Sequence, residues 1–402
     1  MSIIHYLVTK DFSIEFDETN NKLFIDGKEP DKFSNETSGK QLNPDEKKEH
    51  ANTLKVSFYK KKLEKQYENV IILSGSGTSV GVGKEGKVGK TMKEVWNKVA
   101  QDKEIKLEDF CKSISYEDFE KENLERLLSY AKRAEEFSDK FNDVDIKGTI
   151  KKIEELIKTD CTLLLPENSP HEILLNKLAK RKTKYPRAKI FTLNYDTLFE
   201  QAAASGKFII IDGFSYSIPR EFNGGNFKID FVLRENSRIT AEENYLPKIF
   251  HLYKIHGSVN WTKKGNVIQI EEDAKAPHMI FPNDTKYEHS YEQPFFEMMS
   301  RFQSELRKEN VLLICIGFSF NDKHITTVIK EAVIQNPSFE LMVIDKELKQ
   351  NDGMKWLQEK AMLDSRLCLI KETFEEFSKN FPEINTVTKE DILQQIYQEP
   401  NE

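Results

Sequence analysis

The chain has 402 residues, of which 38% are hydrophobic and 32% are charged, and this length favours two domains or one domain with a large insertion. The composition is typical of a soluble globular protein with a heavily charged surface, and 60 lysines and arginines against 67 acidic residues give a net charge of −7. A net negative charge excludes a general attraction to nucleic acids.

The cysteines and the apolar segments predict a reduced, cytoplasmic protein. Cys111, Cys161, Cys315 and Cys368 lie far apart without a Cys-x-x-Cys pair, so we expect free thiols and neither a disulfide framework nor a zinc ribbon. The first residues lack a basic segment followed by a long apolar one. The longest apolar stretch, around Val311 to Phe318, is too short to cross a bilayer. We therefore expect no membrane contact.

The N-terminal region predicts a β-hairpin and a linker, together residues 1–52. Apolar and polar positions alternate in residues 1–30, whereas residues 31–52 are polar and contain Pro, Asn, Gly and Asp. From about Thr53 to Tyr67 the apolar residues fall at helical spacing, and this helix leads into a strand at Val70–Leu73.

That strand ends abruptly in Gly75-Ser76-Gly77-Thr78-Ser79, where two glycines alternate with small hydroxyl residues. Glycine has no Cβ and tolerates positive φ, so such a junction lets backbone N–H groups approach a nucleotide pyrophosphate. The same residues also form ordinary tight turns. On this motif alone, both interpretations stand.

Helical patterns follow the glycine loop. One covers Thr91 to Val99, and residues 104–182 continue as Lys- and Glu-rich helical patterns that include 124–128 and 150–157. We predict an inserted helical subdomain at about residues 100–185.

Strand-like runs return after this block, and helical patterns separate several of them. They cover Lys189–Asn194, Phe208–Asp212, Phe250–His256, Val311–Phe318, Glu340–Asp345 and Arg366–Ile370. The alternation predicts an α/β fold with a Rossmann-like, mostly parallel sheet covered by helices on both faces. The main domain is expected to span residues 53–372.

Two smaller features complete the predicted organisation. Residues 259–270, with Gly265 near the middle, predict a hairpin inserted between the strand–helix units. Residues 373–381 and 389–397 predict two amphipathic helices separated by Pro382. They would form a C-terminal tail at 373–402, packed on the surface or on another subunit.

Four polar segments are predicted at the carboxyl ends of strands. They are residues 75–79, Thr192 to Asp196, Ile255 to Ser258 and Ile316 to Ser319. In an open α/β sheet, ligands bind beyond these ends, at the point where the strand order reverses. We therefore expect the four segments to converge on one cleft.

Within these segments, Asn194 and His256 each allow two interpretations. Asn194 or Asp196 would cap the helix that begins near Asp196, because Asx residues are preferred caps, or would face a ligand. His256 would be either a packed core histidine or a titrating group, and Gly257 beside it leaves room for a ligand.

In combination, the four segments resemble the sirtuin family in both order and spacing. Gly75-Ser76-Gly77-Thr78-Ser79 is similar to its Gly-Ala-Gly-x-Ser phosphate loop, Thr192-Leu193-Asn194-Tyr195-Asp196 to Thr-x-Asn-x-Asp, His256-Gly257 to the catalytic His-Gly, and Gly317-Phe318-Ser319 to the Gly-x-Ser ribose and phosphate turn. The longer runs 193–198, 256–261 and 317–322 resemble the divergent bacterial sirtuin-like branch found in antiviral defence systems.

Two departures separate the chain from protein-deacylating sirtuins. Gly83-Lys84-Glu85-Gly86 stands where those enzymes have Pro-Asp-Phe-Arg, and a cysteine-free hairpin replaces their zinc-binding Cys-x-x-Cys pairs. Deacylation is therefore disfavoured. The defence branch hydrolyses NAD to ADP-ribose and nicotinamide, and the resemblance implies the same activity here, with NAD as the substrate and no metal.

The chemistry of NAD hydrolysis suits these residue types. Nicotinamide is already a cationic leaving group, so cleavage needs a stabilised oxocarbenium-like transition state and a positioned water rather than a strong acid. The Asn194 amide would orient the water or a ribose hydroxyl, and His256 would accept a proton from the ribose hydroxyl or the water. By the sirtuin match Asp196 would contact the nicotinamide carboxamide, and Tyr195 replaces an aliphatic residue of that family.

Asp345 ends a predicted strand and allows two roles. Its carboxylate would bond the adenosine ribose hydroxyls, as in other dinucleotide sites, or it would begin a loop. The histidines outside the motifs, His278, His289 and His324, lack metal-ligand spacing, so we assign no metal. The basic residues between Lys177 and Lys189 accompany no nucleic-acid-reading motif, and we expect a solvated helix end there.

The resemblance also has implications for regulation. It implies an NAD-depleting effector of abortive infection that stays inactive until a partner assembles it, with a HerA-type ATPase or a short Argonaute as candidates. Homo-oligomerisation is expected as well. The alternative is a non-catalytic module that binds NAD or ADP-ribose.

Overall fold

A ten-stranded sheet forms the centre of the part of the chain that the structure describes. The computed structural model describes residues 3–30, 42–137, 141, 144–182, 185–232, 245–280, 293–348 and 352–383. The strands, in chain order, are β1 (Ile3–Val8), β2 (Ser13–Asp17), β3 (Lys22–Ile25), β4 (Asn69–Ser74), β5 (Gly83–Lys84), β6 (Lys87–Val88), β7 (Lys189–Thr192), β8 (Ile209–Ile211), β9 (Ile249–Lys254), β10 (Trp261–Lys264), β11 (Val267–Ile270), β12 (Val311–Ile316), β13 (Phe339–Asp345) and β14 (Leu367–Lys371). Strands β5–β6 and β10–β11 form two separate hairpins.

The helices alternate with these strands over much of the chain. They are α1 (Pro44–Leu63), α2 (Met92–Gln101), α3 (Leu107–Ser113), α4 (Leu124–Glu136), α5 (Ile146–Cys161), α6 (Pro170–Leu178), α7 (Leu198–Ser205), α8 (Phe295–Leu306), α9 (Lys323–Gln335), α10 (Asp352–Ala361) and α11 (Phe374–Asn380). Within the described residues, no helix has the length and apolar character needed to cross a membrane.

The strand order across the sheet is β3-β2-β1-β14-β13-β12-β4-β7-β9-β8. Every neighbouring pair from β14 to β8 is parallel. At the other side, β1 pairs antiparallel with β14, so that Leu7 lies opposite Ile370, and β2 and β3 continue the antiparallel ladder. The predicted Rossmann-like α/β fold is confirmed, and the N-terminal hairpin has a third strand and extends the main sheet.

The parallel strands are buried on both faces because helices cover each side. In β4 alternate side chains point to opposite faces: Ile71 and Leu73 join one core cluster, while Val70 and Ile72 join the other. The first cluster includes residues of α8, α9 and α10, and the second includes residues of α1, α6, α7 and α11. Near-continuous aliphatic runs such as β12 therefore fold as central strands.

Helix α1 begins at Pro44, earlier than the predicted start near Thr53. The Asn43 side chain accepts hydrogen bonds from the backbone N–H groups of Asp45 and Glu46, and Glu46 accepts one from the Asn43 N–H at 2.7 Å. This reciprocal capping, with proline in the first turn, starts the helix inside the polar stretch that composition assigned to a linker. Residue 52 lies within α1, and the division of the chain into domains stays a prediction.

Helices α2 to α5 form a layer with its own core, built around Trp96, Leu127, Leu128 and Ile153. This cluster also contains Tyr195 from the segment after β7, so the helical layer packs directly against the carboxyl edge of the sheet. Helix α6 belongs instead to the second sheet cluster, together with α7 and α11. The helical layer extends from Met92 in α2 to Cys161 in α5, and the insertion at about 100–185 stays a prediction.

The predicted hairpin at 259–270 is present as β10 and β11, with Lys264 opposite Val267. Helix α11 matches the first predicted C-terminal helix and buries Phe377 and Phe381 against the second sheet cluster. The second predicted helix, at 389–397, lies outside the described residues.

Several cations of the basic stretch from Lys177 to Lys189 are used inside the protein. Lys177 Nζ donates to the carbonyl oxygens of Lys379 and Phe381, and Arg181 Nη1 donates to Tyr67 O at 2.7 Å. Lys189 lies 3.1 Å from a Glu305 carboxylate oxygen. These residues therefore hold neighbouring elements together, in contrast to the expected solvated helix end.

Candidate active site

The four predicted site segments follow four consecutive strands of the sheet, β12, β4, β7 and β9. From β4 the chain continues to β7 on one side, and it later returns through β12 to fill the other side. The strand order therefore reverses between β4 and β12. The carboxyl edge at such a reversal is open to a ligand, because the connections leave in opposite directions.

The two glycine turns at this edge pack directly against each other. The N–H of Gly75 donates to Ile316 O at 2.9 Å, and the N–H of Gly77 donates to Gly317 O at 3.0 Å. A Cβ on Gly77 would lie 2.6 Å from the Gly317 Cα, and a Cβ on Gly317, whose φ is +59°, would overlap the Gly77 Cα. The contact between the turns therefore requires glycine at both positions.

The backbone of the first glycine loop is largely used within the protein. Besides Gly75 and Gly77, the N–H of Thr78 donates to Gly75 O and the N–H of Ser79 donates to Ser76 O, both at 3.0 Å. These four N–H groups are therefore already paired within the protein, and the predicted contact of this loop with a nucleotide pyrophosphate stays a prediction. Gly75, Ser76 and Ser79 line the cleft, whereas Gly77 and Thr78 hold the loop in shape.

Asn194 ties the segment after β7 to this loop. Its Nδ2 lies 2.9 Å from Gly75 O, 3.0 Å from Thr78 Oγ1 and 2.8 Å from Ser79 Oγ. The amide group therefore donates hydrogen bonds to three acceptors of the loop. Helix α7 begins only at Leu198, so Asn194 does not cap it. The amide plane is held in one orientation by the loop.

Asp196 has one of the two roles that the sequence left open, support of the helix start, and its contact with a ligand stays a prediction. Its Oδ1 accepts the N–H of Leu198 at 3.1 Å, at the start of α7, and its Oδ2 accepts the Ser79 hydroxyl at 2.6 Å. The same carboxylate thus supports the helix and connects it to the first glycine loop. Asp196 is buried and lines the cleft.

His256 faces a carboxylate that the sequence analysis did not select. His256 Nε2 lies 3.2 Å from Asp322 Oδ2, and the two side chains are 7% and 10% exposed. Asp322 caps α9, because its Oδ1 accepts the N–H groups of His324 and Ile325. Burial alone would raise the pKa of Asp322, but the neighbouring His256 and the Ile325 N–H outweigh it and hold this pKa below its usual range. Its position just after Gly317-Phe318-Ser319 was the available sequence signal.

Glu125, from the helical layer, is a second residue that the sequence analysis missed. It lies in the first turn of α4, lines the cleft and shares a hydrogen bond with the Tyr195 hydroxyl. Burial raises the pKa of Glu125 to about 7, and the charge of Asp322 acts in the same direction, whereas His256 and Tyr195 oppose it. Its surroundings in sequence, rich in Lys and Glu, gave no signal of such a position.

The cleft that these groups share has a volume of about 460 Å³. Its walls come from both glycine turns, from the segments after β7 and β9, and from the helical layer. The residues that carry polar or charged groups into it are Ser76, Ser79, Lys90, Lys121, Glu122, Asn123, Glu125, Arg126, Asp160, Asn194, Tyr195, Asp196, His256, Ser319, Asn321, Asp322, Lys323 and His324. The structure thus brings most of the predicted site residues to one place, including Gly317 and Ser319.

Asp345, like Gly77 and Thr78, is a predicted site residue that is not among those lining this cleft. Its Oδ1 accepts the Glu347 N–H at 2.9 Å, and its backbone oxygen accepts the Glu372 N–H at 2.9 Å. The loop-starting role is therefore visible in the contacts of Asp345. A contact with the adenosine ribose stays a prediction. Among the described residues, no cluster of His, Cys, Asp and Glu side chains has the arrangement of a metal site.

Comparison with known families identifies part of this architecture. A family model described as a SIR2-like domain matches residues 188–362. The match contains Asn194, Asp196, His256 and the second glycine turn with Asp322, while the first glycine loop and Glu125 precede it. No curated protein matches the chain. SIR2-like domains bind NAD, so the match indicates an NAD-related function for this cleft.

Proposed function

From the premise that residues 188–362 form a SIR2-like domain, we propose that this protein is an NAD hydrolase that cleaves NAD to ADP-ribose and nicotinamide. One observation carries the proposal. Asn194 and the His256–Asp322 pair meet in a single cleft at the strand-order reversal, beside two glycine turns. A site for binding alone would not need a buried imidazole paired with a carboxylate.

Asn194 would act by orientation. Its Nδ2 is held by the first glycine loop, which fixes the direction of Oδ1, the acceptor that would position a water or a ribose hydroxyl. A neutral amide aligns the nucleophile without adding charge next to the pyridinium ring. Such alignment lowers the barrier because the entropy of bringing the reactants together is lost on binding instead of in the reaction step.

His256 would accept a proton from the ribose hydroxyl or from the water. The nearby carboxylate of Asp322, whose lowered pKa keeps it ionised at neutral pH, would stabilise the imidazolium that results. The backbone N–H groups at the start of α9 hold Asp322 in place. The positive charge on nicotinamide makes it a good leaving group, so a strong acid on that side of the bond is not required.

We further propose that the activity depletes NAD as the effector step of antiviral defence and depends on assembly. The motif resemblance described above supports this part. An NAD hydrolase that was always active would kill its own cell, so a trigger or partner, such as a HerA-type ATPase or a short Argonaute, would assemble the active form. A homo-oligomer would be a part of that assembly.

The direct test is to incubate the purified protein with NAD and to follow nicotinamide and ADP-ribose, alone and with the protein encoded beside it. We expect the two products in equal amounts from at least one assembly state. If every assembly state binds NAD and leaves it intact, the binding-module alternative is correct. Acceleration of nicotinamide release by an acylated peptide would instead indicate deacylation.

Replacing Asn194 with alanine should lower the rate of NAD cleavage by about a hundredfold, because the oriented acceptor is lost. The steady-state release of nicotinamide measures this effect, and a thermal melt checks that the loop remains folded. Asn176→Ala is the matched control, since Asn176 is exposed on α6 and is not among the residues lining the cleft. Equal rates for the two variants would contradict the assigned role.

A further inference from the structure

The position of Glu125 is set by the packing of helix α4, in whose first turn it lies. Leu124, Leu127 and Leu128 are fully buried in the core of the helical layer, and this core also contains Tyr195 and Val259 from the edge of the sheet. Asn123 caps the helix by accepting the Arg126 N–H at 2.9 Å. The rotation of α4 about its axis is therefore determined, and Glu125 is held on the side that lines the cleft.

The partner of Glu125 can adapt to either protonation state. The Tyr195 hydroxyl hydrogen-bonds the Glu125 carboxyl and also lies 2.8 Å from Ile280 O, to which it can donate. Burial raises the pKa of Tyr195 well above its usual value, so the phenol keeps its single hydrogen. It can donate that hydrogen to an ionised carboxylate, or donate it to Ile280 O and accept from a protonated one.

The groups facing Glu125 come from three other elements. Tyr195 follows β7, His256 follows β9, and Asp322 precedes α9; His256 and Asp322 both interact with Glu125 electrostatically. Other charged or titratable side chains that line the cleft are Lys90, Lys121, Glu122, Arg126, Asp160, Asp196, Lys323 and His324. In this setting the pKa of about 7 allows Glu125 to be ionised at neutral pH and still to bind a proton firmly, as a general base requires.

We propose that Glu125 is a catalytic residue of the cleavage reaction and accepts the proton of the water that attacks the ribose. This inference rests on the proposed function. In the step, the bond between ribose C1′ and the pyridinium nitrogen breaks, and its electron pair neutralises nicotinamide. The water oxygen forms a bond to C1′, its proton passes to the Glu125 carboxylate, and that proton is then released to solvent.

This assignment divides the proton transfers between the buried His256 and the partly buried Glu125. His256, next to Asp322, is left to act on the ribose hydroxyl, while Glu125 acts on the water. The helical layer thereby supplies a reacting group in addition to a wall of the cleft. The active site then needs both the sheet edge and α4 in place, so any shift of the helical layer alters the rate.

The test compares Glu125→Gln with wild type and with Glu136→Gln, which alters an exposed carboxylate at the far end of the same helix. At pH 8 we expect Glu125→Gln to lower kcat about a hundredfold, with KM changed by less than about twofold, and Glu136→Gln to match wild type. The wild-type rate should rise with pH around a midpoint near 7, and this rise should be absent in Glu125→Gln. Glu125→Asp should retain part of the activity.

Addition of azide distinguishes activity lost with the general base from activity lost through misfolding. Azide attacks C1′ without losing a proton, so it should restore cleavage by Glu125→Gln at least about tenfold and give azido-ADP-ribose, with little effect on wild type. The fold is checked by thermal melts. The raised pKa of Glu125 means that the folded protein loses stability as the pH rises through 7, so Glu125→Gln should melt no lower than wild type at pH 8.

The outcomes are separable. Wild-type kcat in Glu125→Gln, or a loss that azide does not restore, overturns the role of Glu125 while Asn194→Ala still tests the proposed function. If no assembly of the wild-type protein cleaves NAD, the proposed function and this inference both fail.

Discussion

Replacing His256 with alanine should lower kcat for NAD cleavage by roughly 10²- to 10⁴-fold, the range expected when a general base is removed. The imidazole is buried just after β9, and its Nε2 lies 3.2 Å from Asp322 Oδ2. Because the position is buried, bulk water should not replace the imidazole as the proton acceptor. Binding of NAD should change much less, because the glycine turns and Asn194 remain. Nicotinamide release and a direct binding titration measure the two effects.

Asp322→Asn and His50→Ala make this result interpretable. Asparagine caps a helix about as well as aspartate, so Asp322→Asn should leave α9 intact while it removes the charge opposite His256. We expect a loss of up to about 10⁴-fold, the effect of the same change beside the histidine of a Ser-His-Asp triad. His50 is an exposed histidine of α1, and its replacement should not change the rate. The role of His256 is refuted if His256→Ala and His50→Ala cleave NAD equally fast.

Replacing Gly317 with alanine should lower the free energy of unfolding by about 3 kcal/mol and remove NAD cleavage. Two costs combine at this position. Its φ of +59° is unfavourable for a residue with a Cβ, by about 1–2 kcal/mol, and that Cβ would overlap the Gly77 Cα in the facing turn. Separating the turns would displace the residues around Asn194 and Ser319 that line the cleft.

Gly265→Ala is the matched control for this substitution. Gly265 has a φ of +61°, close to that of Gly317, but a Cβ there meets no atom within 4 Å. It lies in the turn between β10 and β11. Alanine at this position would therefore have the unfavourable positive φ but no steric overlap. Urea unfolding should therefore show a loss of about 1–2 kcal/mol for Gly265→Ala. Equal losses for the two variants would mean that contact between the turns contributes nothing.

The packing of the two glycine turns explains why the site lies at this edge of the sheet. β4 and β12 are neighbours, with Ser74 opposite Ile316, so their turns leave the sheet side by side. The turns approach closely only because neither carries a side chain at the contact. Asn194 then fastens the next segment to the same loop, and the helical layer closes the cleft from the other side.

Strands, helices and the polar segments at strand ends were accessible from the sequence because they depend on local patterns. β12 is a continuous run of apolar residues and is buried throughout, and the hairpin around Gly265 follows from alternating residues and a turn. Asn194, His256 and the glycine turns stood out because each follows such a strand. The start of α1 is also determined locally, by the capping residues Asn43 and Glu46 and by Pro44. The start predicted from the sequence is too late because the segment is polar.

Only the tertiary structure decided which of these groups act together. Asp322 and Glu125 lie far from His256 along the chain, and their positions depend on how α9 and α4 pack against the sheet. The same packing partly buries the carboxylate of Glu125, which raises its pKa, and brings the two glycine loops into contact. Periodicity and turn chemistry act over a few residues, whereas burial, charge pairing and close backbone contact arise between segments that meet only when the chain is folded.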